Sequence, residues 1–181
     1  MPVHRRAAEL TVDVINARRD GLLDHVWAAE LITRDPLPVQ HRRRVEEVDV
    51  NDLEHTMRRL ADELHPVFTA PDAGTAAIRL NEVLATVVVQ VSVSINEAWA
   101  PHLHFDAHHD GLAERLRVNC LVSIATVLAD QSGAMRLGEC AGEGCRHVFV
   151  DFSRSGHQLF CSRRCATRTH VSAHRRRLAI R

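Results

Sequence analysis

Four cysteines constrain this chain more than any other feature. Cys140 and Cys145, then Cys161 and Cys165, are spaced C-x4-C-x15-C-x3-C. Two short pairs bring four soft donors together at little cost in loop entropy, and Zn²⁺ takes four such donors as a tetrahedron. The first residues lack the continuous apolar core of a signal peptide, and no apolar run is long enough to span a bilayer. A cytoplasmic protein without a membrane segment is therefore expected, and there such a pattern favours zinc over disulfides. A closed shell of four cysteines leaves no position for water, so the expectation is one structural zinc and no enzyme activity. Cys120 lies in an apolar helical pattern and reads as a small core residue.

The residues between the pairs suit a small finger. Gly142 and Gly144 allow a tight knuckle inside the first pair. "HVFV" and "HQLF" read as two short strands joined by "DFSRSG", and Cys161 then opens a helix that carries Cys165 on the same face. Knuckle, hairpin and helix follow in the order of a treble-clef finger. Its few apolar residues make a small core, so metal binding is expected to supply much of its folding free energy.

Charge divides the chain. Residues 1–135 carry 13 arginines and 20 acids, a balance of −7, whereas residues 136–181 carry 10 arginines and 3 acids, a balance of +7. Four thiolates and one Zn²⁺ bring the tail to about +5. A basic module of this kind points to a polyanion, with DNA first. The alternative is that the two halves attract each other. Arg163, Arg164, Arg168, His174, Arg175 and Arg176 are the candidate nucleic-acid contacts, with Arg164, Arg168 and Arg175 at steps that share a helix face. One small finger offers little contact area, so a homodimer is the form expected on a specific site.

The preceding 134 residues read as an α+β, mostly helical domain with one β-hairpin. Helices are expected near 5–18, 51–64 and 73–88, the second capped by Asn51 with Glu54 in the capping-box position. Val89, Val91, Val93 and Ile95 alternate with polar residues, and "HLHFDA" alternates again, which predicts a hairpin with one buried face. A buried helix follows and ends at Gly133. The expected organisation is thus a domain over 1–134 and a zinc finger over 135–181.

"HLHFDAHHD" (102–110) could also be read as a hydrolytic metal site, but no second cluster of donors accompanies it. Contact with a small ligand is the other reading of His102 and His104. "HRRRVEE" (41–47) reads as a solvated stretch.

The stretch "RLGECAGEGCRHVFVDFSRSGHQLFCSRRCATRTHVSAHRRR" resembles the CGNR-type zinc finger: two cysteines, "FVD-SR", then "CS…C" followed by Gly-Asn-Arg and a basic helix. Phe149, Asp151, Ser153, Arg154 and Arg168 match that signature, and Arg154 joins the candidate nucleic-acid contacts. "LTVDVINAR" is similar to the opening of the ABATE domain that usually precedes this finger, matching at Asp13 and Asn16; "LNEVLA" and "PHLHFDA" are similar to later segments. The resemblance implies a stress-responsive bacterial transcription regulator. Its finger would bind DNA through a fold closed by the zinc that Cys140, Cys145, Cys161 and Cys165 hold. The ABATE domain would bind a small ligand, for which Asp13, Asn16, His102 and His104 are the candidates. The alternative reading is a protein-interaction or RNA-binding zinc module. This chain departs from the signature at Ala166 and Thr167, which stand where Gly-Asn is usual.

Overall fold

Most of the apolar periodicity in the sequence becomes helix. The computed structural model describes residues 2–34, 49–96, 99–107, 111–129 and 135–179. The elements are α1 (Pro2–Arg19), α2 (His25–Arg34), α3 (Val50–Phe68), α4 (Ala73–Leu84), β1 (Val89–Asn96), β2 (Trp99–Ala107), α5 (Leu112–Leu128), β3 (Leu137–Glu139), β4 (Val148–Val150) and α6 (Arg163–Ala179). The stretch 41–47, His108, His109, Asp110, the side chain of His102 and the expected boundary at 134 lie outside the described residues.

The α3 stripe of Leu53, Met57, Leu60, Ala61 and Leu64 is buried, as its spacing predicts. Its start differs from the expectation. Asp49, not Asn51, is the N-cap, and its carboxylate accepts from the amides of Asn51 (2.8 Å) and Asp52 (3.3 Å). Glu54 pairs with Arg58 one turn on, at 2.9 Å, and does not close a capping box. The helix starts two residues earlier than expected, and an aspartate caps its first orphan amides as well as an asparagine would.

α1, α3 and α5 form the centre of the core through Val14 and Ile15, Leu60 and Leu64, and Cys120, Leu121 and Ile124. Leu137, Val148 and Val150 of the second hairpin belong to the same cluster. The finger's strands thus share the apolar interior of the helical body. Among the described residues no helix is long and apolar enough to cross a membrane.

β1 and β2 pair antiparallel, with Val91 opposite Phe105 and Val93 opposite Leu103. The hairpin is as expected, but its buried face is not: Val91 is 60% exposed, Val93 65% and Leu103 52%. Alternation tells which side chains share a face; it does not supply an element to cover them. β2 is held to α5 by the Arg115–Asp106 ion pair at 2.7 Å.

Two charged side chains are buried among the described residues, Arg117 in the helical body and Asp151 in the finger. Arg117 on α5 is fully buried and donates to Glu63 on α3 (3.0 Å), to Glu114 (3.0 Å) and to the Thr86 hydroxyl after α4 (3.1 Å). A guanidinium in an apolar interior is tolerated only with such partners, so it pins three helices in register. Arg117→Ala is expected to lower the unfolding free energy by about 3 kcal/mol. Urea unfolding of the zinc-loaded chain measures this; an unchanged midpoint would contradict it.

Candidate metal centre and basic helix

Each cysteine is positioned by a different local device. Cys140 follows β3, and its amide donates to the His147 carbonyl at 2.8 Å, extending the β3–β4 pairing toward the knuckle. The chain then turns tightly: the Cys145 amide donates to the Gly142 carbonyl at 2.9 Å, and the Gly142 amide approaches the Cys140 Sγ at 3.4 Å. A side chain at Gly142 would begin 3.3 Å from that sulfur, and Gly144 takes φ +72°, so both positions favour glycine. Cys161 precedes α6 and Cys165 lies in its first turn. Ser162, between them, accepts the Cys165 amide at 3.3 Å as an N-cap does.

The hairpin of the finger is not the one expected. β3 pairs with β4 across the knuckle, Leu137 opposite Val150 and Glu139 opposite Val148, whereas "HQLF" forms no strand. Residues 157–160 run beside the knuckle instead, where the Leu159 carbonyl accepts from the Ala141 amide at 2.8 Å. Cys161 likewise stands just outside the helix that the sequence has it open.

The ligand atoms of Cys140, Cys145, Cys161 and Cys165 all lie within 4.8 Å of one another. Cys161 Sγ is 3.7 Å from both Cys145 Sγ and Cys165 Sγ. Zn–S bonds of about 2.3 Å in a tetrahedron put sulfurs about 3.8 Å apart, so the cluster already has the dimensions of a zinc site. Without metal the four thiols cannot all ionise. Burial and the neighbouring thiols push Cys161 up to about 12, and burial also raises Cys145. Cys165 is brought down to about 7, first by its hydrogen bond with Ser162.

Asp151 holds the turn after β4. Its buried carboxylate accepts from the amides of Ser153 (2.7 Å) and Gln158 (2.8 Å). Burial pushes this carboxyl up, but those hydrogen bonds and the nearby Arg136 outweigh it and hold the group below the usual carboxylate range. Such a group stabilises the fold above the ordinary carboxylate pKa, and that contribution fades as pH falls through its lowered value.

Residues 136–178 match the model of the CGNR zinc finger family. They form a zinc finger. Comparison with curated proteins finds no match to the chain.

The CGNR finger is docked on α1. The Asn16 side-chain amide forks onto the backbone of β4, accepting from the Val148 amide (2.8 Å) and donating to the Val148 carbonyl (3.1 Å). Asp20 meets His147 at 2.9 Å, and the Arg5 guanidinium lies 4.8 Å from the centre of the Phe152 ring. The sequence singles out Asn16 but carries no sign that it completes a strand's hydrogen bonding 132 positions away. Asp13 lines the clefts on both sides of this seam. His104 stands on β2 opposite Ser92 and lines neither cleft.

The candidate nucleic-acid contacts fall into three groups. Arg163, Arg164, His174 and Arg175 are exposed on α6, and none has an ion-pair partner among the described residues. Arg168 and Arg176 also lie on α6 but bind the knuckle: Arg168 donates to the Glu143 carbonyl (3.4 Å) and approaches Cys165 Sγ (3.8 Å), and Arg176 pairs with the Glu143 carboxylate (3.0 Å). Arg154 is exposed in the turn between β4 and α6.

The chain is expected to bind one zinc and to lose it on Cys161→Ser, as elemental analysis would show. Because Cys161 must give up a proton held until about 12, the apparent zinc affinity should rise with pH across the neutral range. Asn16→Ala removes both seam hydrogen bonds and should cost about 2 kcal/mol. It should also speed zinc release to a chelator; an unchanged release rate would mean that the seam does not support the finger.

Proposed function

We propose that this chain is a DNA-binding transcription regulator whose finger presents α6 to duplex DNA. The observation that carries the reading is the exposed set of Arg163, Arg164 and Arg175, with no acid paired to them among the described residues, on a helix held at its start by a zinc ligand. The rest of the finger's surface charge is partly neutralised internally, by Glu143 on Arg176 and Glu139 on Arg146. Cations left unpaired on a rigid element are suited to phosphates. The zinc, closed by four sulfurs, organises this surface and takes no part in catalysis, so the chain is not an enzyme in this reading.

The helical body, which resembles the ABATE domain, is the sensing part. A cleft of about 720 Å³ opens along the seam between α1 and the finger, lined by Asp13, Asn16 and Arg19 on one side and by Arg146, Arg164 and Arg168 on the other. A small molecule seated there would touch Arg164 of the DNA surface, which gives sensing a direct route to binding. A second copy completes a specific site in this reading, because one finger covers little DNA. The protein acts in the cytoplasm, where its thiols stay reduced.

Full-length zinc-loaded protein should retard duplex DNA at low salt. Arg164→Ala with Arg175→Ala should weaken binding to all sequences alike and lower the slope of log affinity against log salt by about 0.9 for each phosphate no longer neutralised. These two are chosen because, unlike Arg168 and Arg176, they are not engaged with the knuckle. Retention of RNA or protein but no duplex DNA would overturn the reading.

A further inference from the structure

α6 is not uniformly basic. At about 100° per residue, Thr167, Val171 and Leu178 lie about 200° to 240° around the helix from Cys165, on the side facing away from the zinc. Val171 is 43% exposed and Leu178 58%, and Thr167 is also exposed. Arg164, Arg168 and Arg175 form a row along one flank of this ridge, at about 260° to 300°, and Arg163, His174 and Arg177 form another at about 120° to 180°. The helix therefore shows the solvent a ridge of methyl groups between two rows of cations. Burial does not explain the ridge, because nothing among the described residues covers it. Solubility does not explain it either, because a polar residue would serve better at each position.

A B-form major groove has the complementary profile. Its rims are two phosphate backbones, its floor admits a helix, and the chemical group on that floor that prefers an apolar neighbour is the thymine C5 methyl. Double-stranded RNA lacks both features: its major groove is deep and narrow, and uracil has no methyl. The amide or guanidinium that usually reads adenine or guanine is absent from the ridge, where Thr167 and Val171 offer methyl groups.

We propose that α6 lies in the major groove of duplex DNA and that Thr167 and Val171 are specificity-determining residues that read thymine methyl groups. This rests on the DNA-binding reading above and adds to it which bases are recognised and by what contact. Arg164 and Arg175 of one row, with Arg163, His174 and Arg177 of the other, position the helix on the phosphates of both strands and carry no sequence information; Arg168 stays with the knuckle. The Thr167 hydroxyl is left to bond a neighbouring base edge or water.

The test starts from a random duplex library selected on the full-length, zinc-loaded protein. The enriched duplex is then remade with uracil replacing thymine one position at a time. At one or two positions, removing the methyl should weaken binding about fourfold, the equivalent of one buried carbon. Thr167→Ser and Val171→Ala should each erase the thymine–uracil difference at its own position, with the salt slope unchanged. Both sites are exposed, so zinc content and helicity should stay at wild-type level. If the selected duplex binds equally well with uracil at every position, or if no sequence is enriched while duplex DNA is retained, this inference fails and DNA binding stands. If neither version of the duplex is retained, both fail.

Discussion

Four sulfurs packed within 4.8 Å of one another, with two pairs at 3.7 Å, have the dimensions of a tetrahedral zinc shell, and the C-terminal part of the chain is arranged around it. Four thiolates at such spacing would repel strongly in a partly buried site, and four thiols would leave their space poorly used. Zn²⁺ resolves both by replacing the protons, so folding of the knuckle and loading of the metal are one process. The two glycines of the knuckle, the Ser162 cap and the Asp151 turn each bring one cysteine-bearing segment to that point. Asp151 and Ser162 act through backbone amides, so they hold the chain's path without competing for the metal.

Metal is not the finger's only anchor. Leu137, Val148 and Val150 sit in the same apolar cluster as Val14, Leu60 and Leu121, and the Asn16 fork gives β4 the hydrogen bonds that a further strand would have given. Three residues per strand is too short for independent stability. The finger therefore draws its apolar stabilisation from the body and its polar closure from zinc. A change in how α1 sits is felt at Val148, close in sequence to Cys145.

The parts of the fold legible in the sequence are those where chemistry is local. Cysteine spacing alone identifies the four ligands, and helical stripes locate α3 and α4. Alternation finds β1 and β2. What sequence pattern misses is non-local. "HQLF" suits the role of partner to "HVFV" because both are short and apolar, yet β4 pairs with "LGE" on the other side of the knuckle, a stretch whose own residues carry little strand propensity. Arg117 reads as one charge in an amphipathic helix, and only the convergence of Glu63, Glu114 and Thr86 makes it a buried one. α2 is a ten-residue segment that borders a charge- and proline-rich stretch, and the exposed face of β1–β2 reflects the lack of a cover among the described residues, which no pattern within the hairpin can report.

The departure from the family signature gains meaning from the same geometry. Cys165 sets the rotational phase of α6, because ligating zinc turns one side of the helix to the knuckle. Ala166, next to it, is half-buried, and alanine there favours the first helical turn by about 1 kcal/mol over glycine. Thr167, about 200° from Cys165, is turned outward whatever its side chain. The first substitution therefore acts on the firmness of the helix start and the second on what the helix offers a partner. Arg168 keeps its place between the Glu143 carbonyl and the Cys165 sulfur, so the signature's arginine serves the fold, and the change beside it leaves the metal centre untouched.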